Sequence, residues 1–151
     1  YDFYNGKTQE TMNTKKWLFL ITSICILSSC NKTIKFTEFL NTQINSHYPI
    51  DAKQYEFIVV VPRKGCHSCI QSAETIFKDK KNDPRFLFIF TLVDSPKKLK
   101  LEIGQENLSL NNVRIDTKEL FYNANYYDSN YPLLLHKEKN GTFSYRKLVN
   151  F

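Results

Sequence analysis

Several absences narrow the chemistry open to this chain before any motif is read. With four glycines among 151 residues, no Gly-rich stretch leads into a helix, so the backbone cradle that a nucleotide phosphate needs is missing. No paired carboxylates and no Ser-His-Asp pattern stand out, which leaves hydrolase readings without support. A second cysteine pair is missing too: after Cys30 the cysteines are Cys66 and Cys69. With only His47, His67 and His136 to join them, they make a poor set for the four ligands of structural zinc. There is no basic stripe. The net charge of +6 is interspersed with acids, as in "KFTEF", "KDKKNDPR" and "KKLKLE", which is the pattern of a solvated surface and not of a nucleic-acid face. No internal repeat or low-complexity tract occurs. Finally, the apolar stretch from Trp17 to Leu27 would reach only roughly 16 Å as a helix, against a hydrocarbon core of roughly 30 Å. A permanent membrane span is not expected.

What the front of the chain does have is an order of parts. From Met12 it reads "MNTKKWLFLITSICILSSC": two lysines, an apolar stretch, then small residues, the layout of a secretory signal. The ending Leu27-Ser28-Ser29-Cys30 resembles the lipobox of bacterial lipoproteins. That resemblance implies a signal peptide over 12–29, a lipid on Cys30 as the first mature residue, a polar tether over 30–35 and one domain over 36–151. It also implies a lipid-anchored, periplasm-facing place in a bacterial cell envelope. The alternative is a plain secretory signal with an incidental cysteine. Residues 1–11 precede the expected initiator and are read as a non-native upstream extension. An exported chain meets oxidising conditions, in which cysteine pairs form disulfides.

Along the mature chain, apolar positions at helical spacing over 36–48 predict a helix closed by Pro49. "YEFIVVVP" (55–62) is near-continuous in β-branched and aromatic residues, as in a central parallel strand buried on both faces. After the cysteine pair, Ile70, Ala73, Ile76 and Phe77 share one helical face. "RFLFIFTLVD" (85–94) predicts a second buried strand. Ser95 and Pro96 then open a helix that Gly104 ends. A short strand over 112–116 and a helix over 117–127, capped by Thr117, are expected next. Tyr122, Tyr126 and Tyr127 would share a face of that helix and pack. Two strands around Asn140-Gly141 form a hairpin. Alternating strands and helices with an antiparallel end imply an α/β fold with a mixed, mostly parallel central sheet.

The stretch "FIVVVPRKGCHSCIQSAETIF" (57–77) carries the chemistry. Cysteine reacts as thiolate, and a cysteine at a helix N-terminus faces unpaired amides and the positive end of the helix dipole. Arg63, Lys64 and His67 would act the same way when charged. Cys66 is therefore read as the attacking thiol. Cys69, one turn on and deeper, is read as the thiol that resolves a mixed disulfide. Gly65, His67 and Ser68 complete the motif. Two other readings remain open: half of a metal site, and a structural staple, although so short a loop constrains the unfolded chain little.

Residues 55–149 resemble the thioredoxin superfamily, in the branch of membrane-tethered thiol–disulfide oxidoreductases related to those serving cytochrome maturation. "FIVVVPRKGCHSC" matches the active-site strand and motif, and "NYPLLLHKEKNGTFSYRKLV" the proline strand and hairpin. The resemblance implies a thioredoxin-like three-layer sandwich, with residues 95–116 as that branch's extra unit. It makes Pro132 a cis-proline facing the dithiol, with Tyr131 and Pro132 binding the partner through their backbone. It implies no cofactor beyond a redox-active Cys66–Cys69 disulfide. The partners it implies are protein thiols or disulfides of the envelope, a membrane electron donor that recharges the dithiol, and no nucleic acid. Three departures stand against it: Gly65 replaces a tryptophan before the first cysteine, Val60 stands where a buried acid is usual, and the C-terminal helix is missing. These departures motivate the competing function, a non-catalytic lipoprotein using the same fold as a binding or assembly module. A peroxide-reducing relative would need a threonine-bearing environment that "VPRKGC" does not supply.

Overall fold

The computed structural model describes residues 32–149. The chain divides into two compact units, Tyr1–Phe36 and Thr37–Phe151. In the first, residues 32–36 are helical, so the end of the expected polar tether is helix. Cys30 and the expected signal peptide lie outside the described residues.

The second unit is built on a run of hydrophobic strands. β1 (Phe57–Pro62) and β2 (Phe86–Thr91) carry the two most apolar segments of the described residues. Every residue of β2 is buried, as continuous rather than alternating hydrophobicity requires of a strand covered on both faces. They pair in parallel, Phe57 opposite Phe86 through Pro62 opposite Thr91. β3 (Val113–Ile115) extends the sheet in parallel beyond β2. β4 (Leu133–Lys137) runs antiparallel on the other side of β1, and β5 (Phe143–Lys147) antiparallel to β4. The order β3-β2-β1-β4-β5 is an open mixed sheet flanked by helices, a thioredoxin-like α/β sandwich. The Asn140-Gly141 turn forms as expected: Gly141 has φ +84°, and Glu138 N–H donates to Thr142 C=O at 2.8 Å.

The helices follow local signals. α1 covers residues 37–47, with Leu40 and Ile44 almost fully buried. Asn41 fixes it to the sheet edge: its Nδ2 donates to Phe143 C=O at 2.8 Å and its Oδ1 accepts Phe143 N–H at 2.7 Å. α1 ends just ahead of Pro49 as expected, and Pro49 also occupies the first turn of a second helix, α2 (Pro49–Gln54). Proline is well tolerated there because its missing N–H is one of the helix's orphans. Asp51 of α2 accepts Arg114 of β3 twice, at 2.7 and 3.2 Å. α3 (His67–Lys80) buries Cys69, Ile70, Ala73 and Phe77. Phe77 meets Phe88 and Phe90 edge-on, with centroids 4.9 and 5.5 Å apart, a geometry that aromatic quadrupoles favour. α4 (Pro96–Ile103) starts where the sequence places it. Ser95 Oγ accepts Lys98 N–H at 3.3 Å, and Gly104, with φ +91°, ends it. α5 (Gln105–Leu108) follows as one further turn.

The expected helix over 117–127 does not form. Asp116, 2% exposed, takes its place as an organiser. Its carboxylate accepts Thr91 Oγ1 at 2.9 Å, Lys118 N–H at 3.1 Å and Phe121 N–H at 3.4 Å. A side chain that satisfies nearby amides competes with the helix for them. Glu119 accordingly adopts φ +54°, and only the 3₁₀ turn Tyr127–Asn130 is regular. Tyr126 still finds a ring partner, with its centroid 5.7 Å from that of Phe39, and Tyr127, although 71% exposed, meets the Tyr131 ring edge-on at 5.4 Å.

Candidate dithiol site

The site begins where β1 ends. A six-residue strand, buried in all but Phe57, delivers the chain to Pro62, and Arg63 N–H then donates to Thr91 C=O at 2.9 Å, holding the loop against the end of β2. Gly65 turns the chain with φ +110°. A Cβ here would sit 2.6 Å from the carbonyl oxygen of Asn130, so only glycine lets this loop lie against the turn that leads into Pro132. Gly65, which stands where the resemblance leads one to expect tryptophan, thus has a steric reason of its own.

Cys66 is the N-cap residue of α3, with extended backbone angles φ −67° and ψ 106°, and its carbonyl accepts Ile70 N–H at 3.0 Å. It is half-buried, whereas Cys69, inside the first turn, is 3% exposed. The two sulfurs are joined, with Cα atoms 5.3 Å apart. Ser68 Oγ lies 3.5 Å from Cys66 Sγ. His67 is exposed, with Nε2 3.3 Å from Gln71 Nε2. The asymmetry expected of the pair is present: one sulfur at the helix mouth and one beneath it.

The electrostatic surroundings differ from expectation. Arg63 does not stand as an open cation beside the sulfur. Its guanidinium is paired with Glu74 of α3 and with Glu102 of α4, the latter at 2.6 Å, and its side chain is only 14% exposed. Lys64 is paired with Asp94 at 2.6 Å; hydrogen bonding to that carboxylate holds the ammonium pKa above its ordinary value. Carboxylates at contact distance cancel much of the field each cation would exert on a sulfur further away. With both cations paired, the remaining positive end at this site is the N-terminus of α3, which Cys66 caps. Arg63, His67, Glu74, Asp94, Ser95 and Glu102 line a cleft of about 430 Å³ between α3 and α4.

On the other side stands the Tyr131–Pro132 pair. β4 lies beside β1, with Val60 opposite Leu133, so Pro132 meets the same end of the sheet as the cysteines. The expected cis bond is not found, since every described peptide is trans; trans is also the form favoured by about 0.5–1 kcal/mol at an X-Pro bond. The backbone groups of the pair are partly engaged: Tyr131 N–H donates to Asp128 C=O at 3.1 Å and Pro132 C=O accepts Leu148 N–H at 2.8 Å. Tyr131 presents its ring instead. Its hydroxyl donates to that of Tyr127 at 2.8 Å, and Lys147 Nζ lies 5.4 Å from its ring centroid. That hydroxyl bond, with neighbouring negative charge, raises the Tyr131 pKa. Val60 is 2% exposed and apolar.

Among the described residues no group of three histidine, cysteine or carboxylate side chains gathers in metal-binding geometry, and no helix is long and apolar enough to cross a membrane. No family model, curated protein or solved structure matches the chain. The sheet order and the disulfide-linked Cys66-x-x-Cys69 are compatible with a thioredoxin-like redox dithiol.

Proposed function

We propose that the protein is a thiol–disulfide exchange enzyme of the bacterial cell envelope, anchored through lipid on Cys30. The observation that carries the chemical part is the placing of the two sulfurs: Cys66 half-buried at the mouth of α3, Cys69 buried within its first turn, and the pair bonded. In the reduced protein the amides of that turn favour a Cys66 thiolate. The thiolate attacks one sulfur of a partner's disulfide, forming a mixed disulfide and displacing a thiolate that takes up a proton. Cys69, losing its own proton, then attacks Cys66, closing the internal disulfide and releasing the partner's second sulfur as a thiol. Two electrons and two protons pass from the dithiol to the partner. A second, membrane-held dithiol donor returns the protein to its reduced state. Gly65, His67 and Ser68 border the attacking sulfur, and the partner segment lies along them against Tyr131 and Pro132. The envelope location and the lipid rest on the signal-like segment ending at Cys30.

The experiment is substitution of the buried thiol. Cys69→Ala leaves Cys66 able to attack but unable to be released, so mixed disulfides with envelope proteins accumulate and disappear on reduction. If Cys69→Ala yields no more adducts than a Cys66→Ala, Cys69→Ala double variant, the exchange function is wrong.

A further inference from the structure

Arg63 is three residues from Cys66, so their Cα atoms lie within about 11 Å of each other. Its side chain is shared by two carboxylates on different helices, Glu74 and Glu102. Lys98 approaches Glu102 at 3.7 Å, so this buried-to-rim network balances two cations against two carboxylates. Such a balance needs explaining at a site where an uncompensated cation would help ionise a sulfur. A guanidinium that is 14% exposed is poorly screened by solvent and salt, and its charge would be felt across the cleft that it lines together with His67.

We propose that Glu74 and Glu102 tune the dithiol by neutralising Arg63, keeping the Cys66 thiolate less stable, and the disulfide less oxidising, than the basic loop "PRKGC" would make them. This deepens the exchange function and rests on it. The three residues act through the field at the sulfur and are positioning residues; none touches the reacting atoms. The other charges facing the loop are the Lys64–Asp94 pair, with the Glu119 carboxylate also acting on Lys64, His67 beside the cysteine, and the Lys147–Asp128 pair at 2.9 Å on the Tyr131 side. Both ion pairs are internally neutral and are left untouched by substitutions in the Arg63 network, which change the charge at that network alone.

The signs are fixed. Removing a carboxylate charge leaves a net positive network, favours the thiolate and lowers the Cys66 pKa; the reduced form gains stability and the disulfide becomes more oxidising. Removing the Arg63 charge does the opposite. One charge at about 10 Å in an effective dielectric of about 40 displaces the pKa by roughly half a pH unit, about threefold to fourfold in the thiolate equilibrium.

The test is the pH dependence of Cys66 alkylation in the reduced full-length chain, read by peptide mass, with the equilibrium against glutathione as a second readout. Glu102→Gln, at a side chain 37% exposed, should move the alkylation midpoint down. Arg63→Gln should move it up, and Arg63→Lys should restore it. A merely structural network would move both Gln variants the same way, or neither, and either result overturns the proposal. If the wild-type chain alkylates as an ordinary thiol and exchanges nothing with glutathione, the exchange function fails; opposite displacements in the two Gln variants would still uphold the tuning. If the wild type exchanges and the variants do not diverge, the tuning alone is wrong.

Discussion

Replacing Gly65 by alanine adds one methyl group at the tightest point of the site, and its cost separates into two parts. The first is conformational. An L-residue at φ +110° is forced into a region that only glycine visits freely, costing about 1–2 kcal/mol. The second is steric. The new Cβ would lie 2.6 Å from the Asn130 carbonyl oxygen, a backbone atom that cannot rotate away, and overpacking of this kind costs about 1–3 kcal/mol. The sum is about 2–5 kcal/mol. Gly141 supplies the control, because it has a comparable φ of +84° and no neighbour within 4 Å of its would-be Cβ, so Gly141→Ala meets the first cost alone. Urea unfolding of both variants, compared at constant m-value, should show Gly65→Ala the more destabilised by the steric part. Relief of the clash also pushes the Cys66 loop away from the Asn130 turn, so disulfide exchange should slow in Gly65→Ala and not in Gly141→Ala. Equal destabilisation of the two variants would refute the close approach of the two loops, and with it the joining of the dithiol to the Pro132 side.

Two further outcomes are expected. Asn41→Ala removes both hydrogen bonds to Phe143 and should lower the unfolding free energy by about 1–3 kcal/mol; a urea midpoint equal to wild type would show that water replaces the amide without cost. Tyr48 has its pKa pushed up to about 12, first by burial and then by the Asp116 and Asp51 carboxylates, with Arg114 opposing. The folded chain therefore keeps a proton that the unfolded chain releases near pH 10. Stability should fall between pH 10 and about 12, less steeply in Tyr48→Phe; identical slopes would exclude Tyr48 as the cause.

How far the structure could be read from the sequence depended on whether the deciding interaction was local. Ser95, Pro96 and Gly104 bound α4 as expected because a cap, a first-turn proline and a left-handed terminator act within a few residues. The cysteine pair at a strand-to-helix junction was legible for the same reason, and the buried strands through their composition. Pro49 closes α1 as expected, but the α2 that it opens is not legible, because a proline that ends one helix and one that also starts another look alike in a single sequence. The helix over 117–127 failed because tyrosine spacing was weighed and Asp116 was not. An aspartate just ahead of two amides that it can accept is a turn signal, and it was available. The neutralisation of Arg63 was not legible: Glu74 and Glu102 lie 11 and 39 residues away, and only the packing of α3 and α4 brings them to one guanidinium.

The amide of Asn41 has a consequence beyond holding α1. β5 ends the sheet, and an outermost strand invites a second chain to add itself there. By offering Phe143 one donor and one acceptor, a side chain imitates the peptide group of a neighbouring strand and occupies the position that such a chain would need first. Loss of that mimicry should show as self-association of the folded protein at high concentration, at temperatures where the monomer has not yet begun to melt.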